Sequence, residues 1–244
     1  MLFRRTARRS IIVEMAEYVL LPGLDGTGDL FDPLISVIPS SNGVTRMAYD
    51  REVPHSIPSY ADQVLSVANG LDDKVVVAES FSSLVLLELL RRGTRPRAAV
   101  FCAGFADSPR PFLLRASMWL PMAAIMRIKL RPLALRMACL GMAASDSLVE
   151  HTRQVISSVN PEVLAYRLRQ VATAQAPNLR MPEVPILYLR AINDRLVPAR
   201  SADWFRRNVR GLQVQELVGP HFLLQANPVE SWDAIRCFSD RLGP

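Results

Sequence analysis

The chain has 244 residues, 50% of them hydrophobic, with a formal net charge of +6 and a mean hydropathy of +0.14. That is enough apolar material to bury a sizeable core, and it argues against a disordered chain. Three scattered cysteines, Cys102, Cys139 and Cys237, argue against a disulfide framework or a C-x-x-C metal site and suit a reducing, cytoplasmic setting.

The first nine positions hold four arginines, and the apolar run after them, Ile11 to Val13, ends at Glu14. That is too short for the core of a secretory signal. Residues 1–17 are expected to form a flexible basic tail, with an Arg-rich transit peptide and a start at Met15 as the alternatives. Residues 18–22 read as a first strand, followed by the glycine-rich stretch "GLDGTG", Gly23 to Gly28. A P-loop needs Lys and Ser/Thr where Asp29 and Leu30 stand, and an acid there repels phosphate. The dinucleotide fingerprint needs G-x-G-x-x-G, whereas this chain has G-x-x-G-x-G. These glycines serve something other than phosphate.

Further strands are expected at 44–49, 74–78, 98–103, 186–192 and 213–218. Most are nearly unbroken apolar runs, as in parallel strands covered on both faces. Helices are expected at 60–69, 82–92, 199–209 and 228–241, the last with Asn227 as N-cap and Glu230 completing a capping box. Gly93 and Gly211 mark helix stops. Strand–helix alternation gives an α/β fold with a doubly wound, mostly parallel sheet.

Residues 108–180 break that alternation. They are helical in pattern and rich in Leu, Ala, Met and Arg, with ten basic side chains against three acids. We read them as a helical cap or lid inserted between two parts of one core, 18–107 and 181–244. Arg115, Arg127, Lys129, Arg131, Arg136, Pro121 and Pro132 interrupt the apolar stretch 112–144, which rules it out as a transmembrane helix. Trp119, Met118, Met122 and Met126 are spaced to form a soft apolar cluster. The basic residues around them either stay solvated or meet an anionic membrane surface or an acyl carrier. A pI of about 9.7 suggests nucleic acid, but the basic segment lacks an aromatic-interleaved groove, so no such partner is expected.

The chemistry starts at "KVVVAESFSSLVLLELL", Lys74 to Leu90. An apolar strand runs through Ser80 straight into a helix, the layout of a nucleophile elbow. Ala78 and Ser82 replace the two glycines of G-x-S-x-G and are still small. The N–H of Phe81 then lies at a helix N-terminus, aimed at developing negative charge. A second donor has to come from the loop after an earlier strand, which is the glycine-rich stretch: Gly23 lets the chain turn, and Leu24 presents its N–H. Serine needs a base. Of three histidines, His55 and His151 read as surface residues. His221 follows the last strand, where a doubly wound sheet keeps its ligands. Asp194, directly after a strand and between serine and histidine in the chain, is the orienting acid; Asp107 is the competitor.

Together these stretches, with "LRAINDRLVP" and "GPHFLLQANP", resemble the α/β-hydrolase family, and within it a bacterial branch of small esterase-like proteins. The resemblance runs from Tyr18 to near the end and implies a Ser80–His221–Asp194 triad with Leu24 and Phe81 as oxyanion donors. Where many members have His-Gly at the oxyanion turn, this chain has Pro22-Gly23, which keeps the backbone donors and loses the histidine side chain. The activity implied is cleavage of a carboxylic ester with an apolar or amphipathic part, with no metal or organic cofactor. Acyl transfer by the same residues, or a non-catalytic binding protein on this scaffold, are the alternatives.

Overall fold

The computed structural model describes residues 16–126, 131–178 and 181–243. The expected tail lies outside them except for Ala16 and Glu17, as do Arg127, Lys129 and Arg180 of the basic segment. Six strands form one sheet: β1 (Glu17–Leu21), β2 (Gly43–Arg46), β3 (Lys74–Glu79), β4 (Ala98–Cys102), β5 (Ile186–Ala191) and β6 (Gln213–Leu217). Their order is β2-β1-β3-β4-β5-β6, and every pairing among the described residues is parallel.

Most strand ends fall one residue from expectation, and two of the differences have a physical reason. β1 takes in Glu17, assigned above to the tail, because Glu17 pairs with Gly43 and Lys74. β2 stops short of 49: Met47 still gives its N–H to Leu20 O of β1 (3.0 Å), whereas Tyr49 gives its N–H to Gly26 O (2.7 Å). Tyr49 thus holds the glycine-rich loop instead of extending the sheet, and Met47 O lies against Gly28.

Helices cover both faces. α1 (Asp32–Val37) was not expected from the sequence. α2 (Ile57–Val67) begins before residue 60, because the Ser56 hydroxyl accepts from the Ser59 N–H and Pro58 fits the first turn. α3 (Ser82–Arg91) follows β3 directly. Between β4 and β5 come α4 (Pro111–Ser117), α5 (Met122–Met126), α6 (Pro132–Leu135), a π-helical turn over Arg136–Leu140, α7 (Asp146–Ser157) and α8 (Pro161–Thr173). α9 (Ala202–Asn208), α10 (Leu223–Ala226) and α11 (Pro228–Asp240) complete the chain. Asn227 does not cap α11: its side chain donates to Val218 O at 3.2 Å, so the expected capping box does not form.

Alternate residues of each strand point to opposite faces. Val19, Leu21, Val76, Ala78 and Phe101 pack against α2, α3 and α9, while Tyr18, Leu20, Val75, Val77 and Leu189 pack against α1 and α11. Both faces are buried along β1, β3, β4 and β5, which is why those strands read as continuous apolar runs. β1 has β2 on one side and β3 on the other, so the connections that follow β1 and β3 leave in opposite directions and open a crevice at their carboxyl ends. The functional residues gather there.

Candidate active site

Ser80 follows β3 directly with φ of +46°, a left-handed conformation that strains any residue with a Cβ. The turn is held from both sides. The Ser80 N–H donates to Cys102 O at 2.9 Å, and Ser80 O accepts from the Ser83 N–H at 3.0 Å and its hydroxyl at 2.6 Å. Ser82, in place of the usual glycine, is fully buried. Its hydroxyl donates to Pro22 O and lies 2.8 Å from the Tyr49 hydroxyl. A glycine has no such tether between the serine turn and the loop after β1.

His221, buried in the loop after β6, places Nε2 3.0 Å from Ser80 Oγ and Nδ1 2.7 Å from Asp194 Oδ2. The other carboxylate oxygen, Asp194 Oδ1, accepts the N–H groups of Leu196 and Val197, each at 2.8 Å. A carboxylate only accepts, so the imidazole proton is assigned to Nδ1, leaving the Nε2 lone pair facing the serine hydroxyl. The π-helical turn steadies both loops: Cys139 O accepts from the Phe222 N–H (2.9 Å) and Met137 O from Arg195 (3.2 Å). The other candidates lie elsewhere. Asp107 is exposed and makes no bond to His221. His55 contacts Asp50 at 3.3 Å, and His151 meets Asp29 O at 3.1 Å.

The N–H groups of Leu24 and Phe81 have no hydrogen-bond acceptor among the described residues, and both residues border the cavity that contains Ser80. Gly23 is not the residue that needs glycine's freedom, contrary to expectation: its φ is not positive. The left-handed positions are Gly26 (φ +71°) and Gly28 (φ +76°). A β-carbon on Gly26 would run into the Arg167 guanidinium, and one on Gly28 into Met47 O.

Arg167 went unrecognised in the sequence. It was counted among the basic residues of 108–180 that stay solvated or meet an anionic partner, yet its side chain is fully buried. From α8 it reaches across the crevice and donates to Leu24 O (3.1 Å), Asp25 O (2.6 Å), Asp50 O (2.8 Å) and the Tyr60 hydroxyl (3.0 Å). The guanidinium also stands over the Tyr60 and Tyr49 rings, 5.2 and 5.8 Å from their centroids. A buried cation is tolerated only with its donors satisfied; here carbonyls of the glycine-rich loop satisfy them. One signal was available: Val163, Leu164, Arg167 and Val171 share the helix face that packs inward.

Glu79, just before Ser80, was also missed. It is buried beside Asp25, and Gln225 donates to its Oε2 at 3.2 Å while Oε1 has no partner. Burial, then the Asp25 charge, raises its pKa to about 7, so the carboxyl is largely protonated below neutrality.

A cavity of about 390 Å³ opens over Ser80, and Leu114, Leu135, Ile156, Leu164, Leu168 and Phe222 are among its walls. Cys139 borders it too. Burial, with the Asp194 charge, pushes that thiol up to about 12, so it offers no thiolate to compete with Ser80. A larger cleft of about 1000 Å³, bordered by Asp32, Arg136, Met142, Leu148 and Asn227 among others, does not reach Ser80. Among the described residues no cluster of His, Cys, Asp and Glu is arranged to hold a metal ion.

A parallel sheet of this order, a strained serine between a strand and a helix, and a histidine after the last strand define the α/β-hydrolase fold. No protein-family model and no curated protein matches the sequence. Solved structures do match the fold. The esterase RhEst1 from Rhodococcus sp. ECU1013 superposes with a TM-score of 0.74 at 14% identity, over 94% of this chain and 92% of that one. The enol-lactonase from Burkholderia xenovorans LB400 gives 0.73 at 14% identity, over 92% and 91%. The bromoperoxidase from Bacillus anthracis gives 0.73 at 14% identity, over 93% and 92%. These proteins span different chemistries on one fold, so function follows from the site.

Proposed function

We propose that this chain is a serine hydrolase of carboxylic esters that works through an acyl-enzyme. The observation that carries the reading is the hydrogen-bonded series Ser80–His221–Asp194 at the floor of an apolar cavity. Ser80 Oγ attacks the ester carbonyl as its proton passes to His221 Nε2. Asp194 keeps the imidazole oriented and stabilises the imidazolium. The carbonyl oxygen, now negative, takes hydrogen bonds from the Leu24 and Phe81 N–H groups. When the intermediate collapses, His221 returns the proton to the departing alkoxide, and the acyl group stays on Ser80. Water, activated by the same histidine, then releases the acid and restores the serine.

The apolar walls suit an apolar acyl or alcohol part, since few polar groups are present to hold anything else. The reading includes residues 108–180 as a cap over the core, a small-molecule ester as substrate, and a cytoplasmic setting in keeping with three free cysteines. Similarity in fold to the esterase RhEst1 and the enol-lactonase supports ester chemistry. The test is labelling with a fluorophosphonate, followed by a chain-length series of p-nitrophenyl esters. One phosphonate on Ser80 and a preference for acyl chains longer than acetate are expected. Product analysis with and without an alcohol acceptor separates hydrolysis from acyl transfer.

A further inference from the structure

Of the three tryptophans, Trp204 and Trp232 are buried, but Trp119 is 92% exposed, as is Phe112 seven residues earlier in the chain. Trp119 and Met118, spaced in the sequence for a soft apolar cluster, face solvent, together with Leu120, Leu133, Met137 and Met142. Their placement follows the cavity. Leu113 and Leu114 of α4, and Ala134 and Leu135 of α6, form cavity walls, while their neighbours Phe112 and Leu133 point outward. The helices that enclose the space above Ser80 therefore carry an apolar face on their outer side. Isolated exposed apolar residues are ordinary, but a concentration on adjoining short helices marks an interaction surface.

The described charges on these helices are of one sign: Arg115 of α4 and Arg131 beside α6 are basic, and no Asp or Glu stands between Ser108 and Ser145 in the sequence. Arg115 and Arg131 are exposed and have no carboxylate partner among the described residues. Exposed aromatic and aliphatic side chains edged by unpaired arginines match a bilayer surface: apolar groups enter the acyl boundary and arginines meet the phosphates. A second copy of this chain would set positive charge against positive charge. An acidic carrier protein would match the charge but offer no apolar depth to Phe112 and Trp119. No described helix is long and apolar enough to cross a membrane, so contact is with the surface.

We infer that the α4–α6 face docks on bilayers containing anionic phospholipid, and that the ester enters the cavity from that bilayer. The second half rests on the ester-hydrolase reading; the first does not.

Docking is measured on Ser80→Ala protein, so turnover plays no part. The probes are vesicles of phosphatidylcholine alone and of an equimolar mixture with phosphatidylglycerol. Sedimentation should give about 10-fold or more tighter binding to the anionic vesicles, weakened by salt. Brominated lipid should quench tryptophan emission, a signal that reports Trp119 because the other two are buried. The Phe112→Ser/Trp119→Ser variant should lose roughly 10-fold in binding, and Arg115→Gln and Arg131→Gln about 5-fold each. All four positions are exposed, and an unchanged melting temperature checks the fold. Equal binding to both vesicle types, or undiminished binding by the variants, overturns the docking. So does a lipid-free dimer with Trp119 emission already shifted to the blue, which assigns the face to a second copy. For substrate entry, wild type should hydrolyse a long-chain ester about 10-fold faster from anionic than from neutral vesicles, with p-nitrophenyl acetate unaffected. Equal rates overturn entry and leave docking standing. Failure to label Ser80 with phosphonate sinks the hydrolase reading without touching the vesicle result.

Discussion

Asp194 and Asp107 both follow strands, and only Asp194 bonds His221. Asp194→Asn should lower kcat by about 10³- to 10⁴-fold with KM little changed, because the amide favours the wrong imidazole tautomer. Asp107→Asn should stay within roughly 3-fold of wild type; steady-state kinetics on one ester checks both. Arg167 acts through the backbone it holds. Its bonds to Leu24 O and Asp25 O set where the Leu24 N–H points. Arg167→Lys cannot satisfy four acceptors in that geometry, so kcat should fall about 10- to 100-fold with KM nearly constant. A raised KM at full kcat would assign Arg167 to the pocket instead. Glu79 has a pH signature. Its pKa is raised in the folded state, so the stability it contributes is fully present below about 4.5. That stability is lost as pH rises through about 7. A group this buried is worth up to ~3 kcal/mol across that window. Urea midpoints between pH 4.5 and 8 should fall with pH in wild type relative to Glu79→Gln, and parallel curves would contradict the assignment.

At the scale of elements, the glycine-rich loop is where sequence and structure part. Asp29 and Leu30 behind its glycines excluded a P-loop, and the order of the glycines a dinucleotide site, but nothing local revealed what they accommodate: an arginine more than a hundred residues away and a carbonyl from the neighbouring strand's end. Gly26→Ala combines a left-handed φ with a collision against the Arg167 guanidinium, so it should cost roughly 2 kcal/mol or more. Gly93→Ala makes a control, since its φ of +90° is equally unfavourable but its β-carbon meets nothing within 4 Å; about 1 kcal/mol is expected there. Chemical denaturation of both variants separates conformational strain from the collision, and equal losses would mean that Arg167 yields freely. The four inner strands, β1, β3, β4 and β5, were legible because a sheet buried on both faces writes itself as apolar runs. Short helices such as α1, six residues opening with Asp32-Pro33, and α10 carry too few periods to stand out. The end of β2 misled because Met47 and Tyr49 are apolar for a different reason, to pack beneath the glycine-rich loop.

For the molecule as a whole, the order of strand ends brought Ser80, Asp194 and His221 within hydrogen-bond reach of one another, although 141 residues separate serine from histidine. That order was readable, because a parallel sheet sends all its strand ends to one edge. The buried polar partners were not: Arg167, Glu79 and Gln225 become significant only through neighbours that packing supplies. The measurement that bears most directly on the central reading is rapid-quench mass spectrometry of the protein mixed with a medium-chain p-nitrophenyl ester. A burst of p-nitrophenolate should coincide with an acyl mass on the peptide containing Ser80, and Ser80→Ala should show neither. Steady turnover with no acyl group on Ser80, undiminished in Ser80→Ala, would contradict the account.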